Sequence, residues 1–227
     1  MAIAKSAMTS PPAGTGYAPG LGEAFTINLS TGQGIYAFKL PLPDGIAGHT
    51  PDLSLEYAHG AGHGPFGLGW RMPLRSISRR LDYGVPGEGA AERYVDGSAE
   101  IVPLGDGSYG ALAESIFTRY TPLGDGWRIE ERHGVVHELG TTPGTRLADP
   151  AHPDRPHKWL LERSLDPSGN AIEYRYRFDE GMAYLEEVRY AIYAVRFAYE
   201  PRPDPRWDGR AGYLRRRGLR CTEIALY

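Results

Sequence analysis

The sequence has 227 residues, a formal net charge of −3 and a single cysteine, Cys221. This charge gives no electrostatic case for binding nucleic acid or an anionic membrane, and one cysteine excludes an internal disulfide. No stretch of about 18 apolar residues is present, so no membrane-spanning segment is predicted. Residues 1–20 also lack the apolar core of a signal peptide.

Glycine and proline are abundant, at 30 and 19 residues, and 15 residues are tyrosine. Glycine and proline interrupt helices, whereas tyrosine is enriched in strands. The composition therefore predicts an all-β fold, a meander of short antiparallel strands and hairpins that forms an extended curved sheet or a sandwich. We expect residues 1–22 to be a flexible tail and residues 23–227 to be a single domain.

The first strands of the chain show alternating hydrophobic residues. Phe25, Ile27 and Leu29 alternate with polar residues, and residues 35–40 return as the second strand of a hairpin. Residues 53–57 alternate in the same way and predict a third strand.

A glycine-dense loop over residues 58–69 follows, and the next predicted strand runs from Trp70 to Ser78. Its glycines match the dinucleotide-binding fingerprint in spacing only, because Pro65 interrupts the motif and Pro73 follows where a helix must run. We predict instead that these glycines allow a close backbone crossing with positive φ angles.

The middle of the chain contains repeated Asp-Gly turns between short alternating segments, centred on residues 96–97, 105–107 and 124–126. Turns at this density predict successive hairpins. Residues 140–157 carry four prolines and are predicted to form a loop.

The last third contains the clearest strand, residues 172–178, which follows a strand over 158–165 and a turn from Asp166 to Asn170. Further strands are predicted at 182–190, 192–199 and 219–227, with a loop over 201–212. Because the sequence stops inside its last predicted strand, we expect a fragment of a longer chain.

Few residues suggest chemistry. His59 and His63, with His49 upstream, could bind a metal, but the loop supplies only Glu56 and Asp52 as acidic neighbours within ten residues, so we predict histidines with local hydrogen bonds. No metal site and no cofactor are predicted.

Arg75 with Ser76-x-Ser78 matches part of the pattern of one class of ADP-ribosyltransferase, yet the chain lacks the Glu-x-Glu that this chemistry needs. Cys221 is predicted to be a buried structural thiol, and residues 215–217 with Arg220 to be a solvated basic face. A hydrolase using two carboxylates remains open, because spatial separation is invisible in sequence.

Several segments occur in a characteristic order: Gly22-Glu-x-Phe25, Pro51-x-Leu-Ser-Leu-x-Tyr57, Gly60 to Trp70, Lys158-Trp-Leu-Leu161, and Asp166 to Tyr176. Together they resemble the SpvB-type N-terminal domain family of Salmonella plasmid virulence proteins and of the B component of insecticidal Tc toxin complexes. The residues from Tyr174 to Leu185 also resemble one unit of a YD (Rhs) repeat. The structural signature comprises Gly60, Gly62, Gly64, Pro65, Phe66, Gly67, Gly69, Trp70, Trp159, Asp166, Gly169, Asn170, Tyr174 and Tyr176.

The resemblance implies a non-catalytic domain that contributes to a shell or delivery module for a toxic C-terminal effector. It implies other toxin-complex subunits, or C-terminal domains of the same chain, as partners. It also implies secretion by a route without an N-terminal signal peptide, and delivery to a host cell. Any ADP-ribosyltransferase or other toxic activity would lie outside this chain, so no catalytic residue is implied.

An alternative function is a carbohydrate- or protein-binding β-sandwich. In that case some of the tyrosines and tryptophans, such as Trp70, Trp127 and Trp159, would form an exposed platform for stacking.

Overall fold

The computed structural model describes residues 25–28, 33–58, 60, 62–80, 93–113 and 117–227. In these residues the chain forms strands, turns and two 3-10 segments, without an α-helix, which confirms the all-β prediction. The predicted tail, residues 1–22, lies outside the described residues.

The strands of the first part are β1 (Phe25–Asn28), β2 (Gln33–Lys39), β3 (Ser54–Ala58), β4 (His63–Gly64), β5 (Gly67–Leu68), β6 (Trp70–Arg71) and β7 (Ser76–Arg79). The remaining strands are β8 (Tyr94–Asp96), β9 (Ala99–Pro103), β10 (Tyr109–Ala111), β11 (Thr118–Leu123), β12 (Gly126–Glu131), β13 (Val136–Leu139), β14 (Arg146–Asp149), β15 (His152–Leu165), β16 (Ala171–Asp179), β17 (Met182–Tyr190), β18 (Tyr193–Asp208) and β19 (Arg215–Leu226).

Eight of these strands close into an antiparallel barrel. Strands β7 to β13 pair with their neighbours in chain order, and β15 pairs with both β7 and β13. Trp159 lies opposite Ile77 on one edge of β15, and Leu165 lies opposite Val136 on the other. Closure removes the two edges that an open sheet would leave. The barrel is more specific than the curved sheet or sandwich that the sequence pattern predicted.

Glycine turns hold the barrel hairpins together. Leu123 pairs with Gly126, so the loop between β11 and β12 consists of residues 124–125 alone. Gly124 has φ 58°, and Gly97 has φ 61° in the equivalent turn between β8 and β9. Two-residue hairpin loops that match the twist of the strands need such positive φ angles, which glycine adopts without strain.

The barrel interior is filled by side chains from alternate positions of the strands. At one end three aromatic rings pack edge to face: the Trp127 ring centroid lies 4.9 Å from that of Tyr94 and 6.0 Å from that of Trp159. Such pairs contribute about 0.5–1.5 kcal/mol each beyond the burial of their surface. The fully buried aliphatic residues of the barrel are Ile77, Ile129 and Leu139.

Beyond β15 the chain continues as an open antiparallel sheet, β15 to β19 in order. Strand β15 belongs to both parts, because residues 158–160 pair with β7 and residues 163–165 pair with β16. One face of the open sheet continues the barrel core through Ile172, Val188 and Phe197.

Two segments that were predicted as loops are strands. Residues 152–157 begin β15, and residues 201–208 end β18. The register of β15 against β14 shifts around Ala148, and that of β18 against β19 shifts between Pro201 and Arg206. The prolines in these stretches cluster at the irregular pairings, where a missing N–H removes few ladder hydrogen bonds. The loop predictions are wrong in both places.

Strands β1, β2, β3 and β6 form a separate four-stranded sheet, and β4 pairs with β5 as a short ribbon. The connection from β2 to β3 anchors this sheet to the open sheet. Leu40 and Leu53 belong to the common core, and the Tyr190 hydroxyl donates to the carbonyl of Pro43 at 3.0 Å. The glycine-dense loop is thereby placed beside β18 and β19.

Candidate interaction site at the glycine loop

Two glycines of the loop lie where the backbone passes close to its neighbours. A Cβ at Gly64 would lie 2.2 Å from the carbonyl oxygen of Trp70, and one at Gly69 would lie 2.5 Å from the ring of Tyr57. The amide of Gly69 donates to the carbonyl of Gly62 at 2.7 Å. The positive φ angles of the loop glycines are 88° at Gly60, 75° at Gly62, 113° at Gly67 and 77° at Gly69. The loop is thus a close backbone crossing.

Trp70 is half-buried between two tyrosines. Its ring centroid lies 5.5 Å from that of Tyr57 and 6.1 Å from that of Tyr36, and the backbone of Trp70 pairs with Tyr57 across β3 and β6. Trp70 therefore fixes the end of the loop onto the four-stranded sheet.

The loop contacts the β18–β19 hairpin, which is distant in sequence. The Cys221 amide donates to the carbonyl of Pro65 at 2.7 Å, and the Phe66 ring packs edge to face on Phe197 with centroids 6.4 Å apart. Arg202 donates to the carbonyl of Gly64 at 3.3 Å. The loop therefore joins the N-terminal sheet to the open sheet.

His63 lies at the centre of this contact. Its Nδ1 is 3.3 Å from Asp204 Oδ2, and its Nε2 is 3.3 Å from Arg206 Nη2. Arg202 Nη2 also lies 3.3 Å from Nδ1, so the His63 ring contacts one carboxylate and two guanidinium groups. Arg217 donates to the carbonyl oxygen of His63.

The histidines considered as metal ligands do not share a site in the described residues. His49 Nε2 lies 3.1 Å from the carbonyl of Ser164, His63 contacts arginines and Asp204, and His59 lies outside the described residues. Within the described part of the chain, no group of three or more His, Cys, Asp or Glu side chains is arranged to hold a metal ion.

The later signature residues stabilise two places by local contacts, one around Trp159 and one in the turn after β15. Trp159 Nε1 donates to the carbonyl of Asp125 at 2.7 Å, and a Cβ at Gly140, with φ 64°, would lie 2.3 Å from the Trp159 ring. In the turn after β15, Asp166 Oδ1 accepts from the amides of Ser168 and Asn170 at 2.9 and 2.8 Å.

The remaining signature residues complete that turn and the strand after it. Asn170 Nδ2 donates to Asp166 Oδ2 at 2.7 Å, and Gly169 has φ 85°. In β16 Tyr174 is buried, and the Tyr176 hydroxyl donates to the carbonyl of Leu161 at 2.9 Å. Burial raises the pKa of both tyrosines, so they remain neutral hydrogen-bonding groups.

An ionic cluster at the end of the barrel opposite the tryptophans was not predicted. Arg75 bridges two carboxylates: its Nη2 lies 2.8 Å from Asp96 Oδ2, and its Nη1 contacts Glu131. The Tyr120 hydroxyl donates to Asp96 at 3.0 Å, and His137 Nε2 lies 3.3 Å from Glu131. Burial alone would lower the pKa of Arg75, but the two carboxylates raise it. Sequence reasoning noted Arg75 only through its position before Ser76-x-Ser78.

These contacts bear on the hydrolase and stacking hypotheses. The structure brings the carboxylates of Asp96 and Glu131 to one place, but both are bound to the same guanidinium, which suits a structural role. Trp127 and Trp159 are buried at 4% exposure each, which counts against a platform built from them.

Two predictions about the last strand need correction. Cys221 is half-buried, with burial raising the pKa of its thiol to about 11. Arg215 was predicted to lie on a solvated face, but it is 8% exposed and donates to His157 Nε2 at 3.1 Å. No helix in the described residues is long and apolar enough to cross a membrane.

Comparison with known proteins adds to this geometry. The chain is 29% identical over 232 residues to the mono(ADP-ribosyl)transferase SpvB of Salmonella typhimurium (strain 14028s / SGSC 2262), with coverage of 81% of this chain and 38% of that protein. The SpvB protein of Salmonella dublin matches with the same identity and coverage. The chain thus spans 38% of the length of these curated relatives.

The fold is also found in solved structures. The N-terminal domain of effector protein SpvB from Salmonella typhimurium strain LT2 matches with a TM-score of 0.74 at 24% identity, over 83% of this chain and 86% of that domain. The TcdB2-TccC3 structure matches with a TM-score of 0.78 at 25% identity, over 96% of this chain and 14% of that one.

The family described as Salmonella virulence plasmid 65kDa B protein matches residues 30–110 and 111–196. These segments cover more than half of the chain and include the glycine loop, the barrel and β16 to β17. The chain belongs to this SpvB family.

Proposed function

We propose that the chain is a non-catalytic structural domain of a secreted bacterial toxin, which contributes to a shell or delivery module for a toxic C-terminal effector. The observation that carries the proposal is the pair of structural matches. The same fold accounts for most of the N-terminal domain of an effector and for 14% of a much longer Tc toxin chain. A domain used in both settings suits assembly with different neighbours.

The internal contacts are consistent with this role. The ionic cluster around Arg75 pairs its carboxylates within the domain, and the glycine loop adds contacts between two sheets that also meet through the β2–β3 connection. The proposed partners are other toxin-complex subunits or C-terminal domains of the same chain. The proposed route is secretion, followed by delivery to a host cell.

A chimera tests the structural role. The segment of TcdB2-TccC3 that matches this chain is replaced by residues 23–227, and particles are measured by light scattering and electron microscopy. We expect a particle of unchanged size, whereas deletion of the segment should abolish assembly. A folded domain whose chimera fails to assemble would contradict the proposal.

The non-catalytic assignment has a separate test. Purified protein is incubated with NAD and actin, and released nicotinamide and labelled actin are measured. We expect no turnover above that of heat-denatured protein. Turnover that is lost when Arg75 or Ser78 is replaced by alanine would show that catalysis belongs to this chain.

A further inference from the structure

A cleft of about 600 Å³ lies beside the outer half of the β18–β19 hairpin. Its lining includes His63 from the glycine loop together with Arg206, Trp207, Asp208, Arg210 and Arg217 from the hairpin. The glycine loop thus forms one wall, and the arginine-bearing strands form the other.

The arginines of this cleft outnumber the carboxylates. Among the described residues, the side-chain hydrogen bond of Arg206 is to His63 Nε2, and that of Arg217 is to the carbonyl oxygen of His63. Asp208 lies 2.8 Å from Arg210, but it is shared with Arg215 at 3.0 Å. The single carboxylate of the lining is therefore already used by two guanidinium groups.

The excess positive charge continues behind the cleft. Burial lowers the pKa of Arg217, and the guanidinium groups of Arg202 and Arg215 act in the same direction. The pKa of Lys158 is lowered by burial, by Arg215 and by Arg217. Arg215 Nε is buried without a hydrogen-bond partner in the described part of the chain. These effects show that several positive charges lie close together behind the cleft.

Trp207 gives the cleft an exposed aromatic wall. Its side chain is 61% exposed, and the guanidinium carbon of Arg216 lies 5.8 Å from its ring centroid. This contact holds the ring in place while leaving much of its surface open to a ligand.

We propose that this cleft binds the phosphate group of a small phosphorylated ligand. Arg206, Arg210 and Arg217 line one cavity, and a multivalent phosphate can accept hydrogen bonds from several guanidinium groups at once. A ligand with a single carboxylate would pair with one guanidinium group and leave the charges of the other arginines unbalanced. This site is independent of the proposed structural function, because it rests on the cleft alone.

Isothermal titration calorimetry with sodium pyrophosphate at low ionic strength tests the site. We expect saturable 1:1 binding that Arg206→Gln weakens about tenfold, as for loss of one charge-assisted hydrogen bond. Arg206 is exposed, so this variant should fold, and circular dichroism checks that it does. Arg206→Lys keeps the charge but loses the fork, and should bind with intermediate affinity.

Arg155→Gln is the matched control, because Arg155 is exposed and its ion pair within the described residues is with Asp154 at 3.8 Å. This control should bind pyrophosphate like the unmodified chain. The proposal is overturned if no saturable binding occurs up to about 10 mM pyrophosphate, a concentration well above the dissociation constant expected of a specific site. Equal losses in Arg206→Gln and Arg155→Gln would also overturn it. Tighter binding of a hexaglutamate peptide than of pyrophosphate would overturn the assignment to phosphate.

Discussion

Gly69 and Gly62 have nearly the same φ angle, 77° and 75°, but different surroundings. A Cβ at Gly69 would overlap the ring of Tyr57, whereas a Cβ at Gly62 would meet nothing within 4 Å. We expect Gly62→Ala to lower the free energy of unfolding by about 1 kcal/mol through backbone strain alone. Gly69→Ala should lower it by about 3 kcal/mol because overpacking is added.

Urea denaturation measures both values. Gly144→Ala is the control, since Gly144 has neither a positive φ nor a neighbour within 4 Å of the added methyl group. Equal losses at Gly62 and Gly69 would show that the close approach to Tyr57 is unimportant.

His157 makes stability depend on pH. It accepts from Arg215 through Nε2, and its pKa is lowered from 6.5 to about 4 by burial, Arg215, Lys158 and Arg79. Between these values the unfolded chain binds a proton that the folded chain does not. The contribution of neutral His157 to the free energy of unfolding is therefore fully present above pH 6.5, and it is lost as the pH falls toward 4.

We expect His157→Gln to remove part of this fall, because the amide can still accept from Arg215 but does not titrate. Chemical denaturation at a series of pH values measures the slope. His133→Gln, at an exposed site, should leave the slope unchanged. If His157→Gln left it unchanged too, the neutral state of His157 would not contribute to acid sensitivity.

Residue roles were predictable only where chemistry is local. The Asp166 turn follows from Asp, Gly and Asn at fixed spacing, since each contact lies within four residues. By contrast, nothing local distinguishes Gly62 from Gly69, because the crowding arises from Tyr57 on another strand.

At the scale of the elements, the ionic cluster closes one end of the barrel by joining the starts and ends of separate strands. Arg75→Met should lower the free energy of unfolding by about 2 kcal/mol, because Asp96 and Glu131 both lose the guanidinium that binds them. Adding Asp96→Asn and Glu131→Gln should restore much of the loss. Urea denaturation is measured for the unmodified chain, Arg75→Met, the double variant of Asp96 and Glu131, and the triple variant. Together the four free energies of unfolding give the interaction energy between Arg75 and the two carboxylates.

A triple variant no more stable than Arg75→Met would contradict this explanation. It would show that the packing of the Arg75 side chain matters more than its charge.

The strands themselves were partly predictable. Residues 172–178 alternate cleanly, and the structure contains them as β16. The proline-bearing parts of β15 and β18 were missed, because proline normally argues against a strand and the register shifts that accommodate it depend on the partner strand. Barrel closure was missed for a related reason: it requires β15 to pair with β7 and β13, and sequence alternation does not identify partners.

At the scale of the molecule, the glycine loop couples the two ends of the described chain. We expect Phe66→Ala to lower the free energy of unfolding by about 2 kcal/mol, since a partly buried aromatic contact with Phe197 is lost. Hydrogen exchange should also become faster at the Cys221 amide, which donates to Pro65. Leu68→Ala is the matched control, because Leu68 lies in the same loop and is 63% exposed.

Unchanged exchange at Cys221 in Phe66→Ala would show that the loop rests on the hairpin without stabilising it. The contact itself was beyond sequence reasoning, because Pro65 and Cys221 lie more than a hundred residues apart. The resemblance to the SpvB family was available from the ordered motifs, and the family match confirms it. The resemblance to a YD repeat unit stays a prediction, as does the single domain over residues 23–227.

Strand β15 has a mechanical consequence. Because it is common to the barrel and the open sheet, no linker separates the two parts, and a load applied along β15 would act in shear on several rows of hydrogen bonds at once. Hydrogen bonds between strands that are loaded in shear share the force, whereas hydrogen bonds that are opened from one end of a strand pair break one after another. We therefore expect the domain to withstand tension along β15 far better than peeling of β19 from β18, a difference that single-molecule pulling in the two directions can measure.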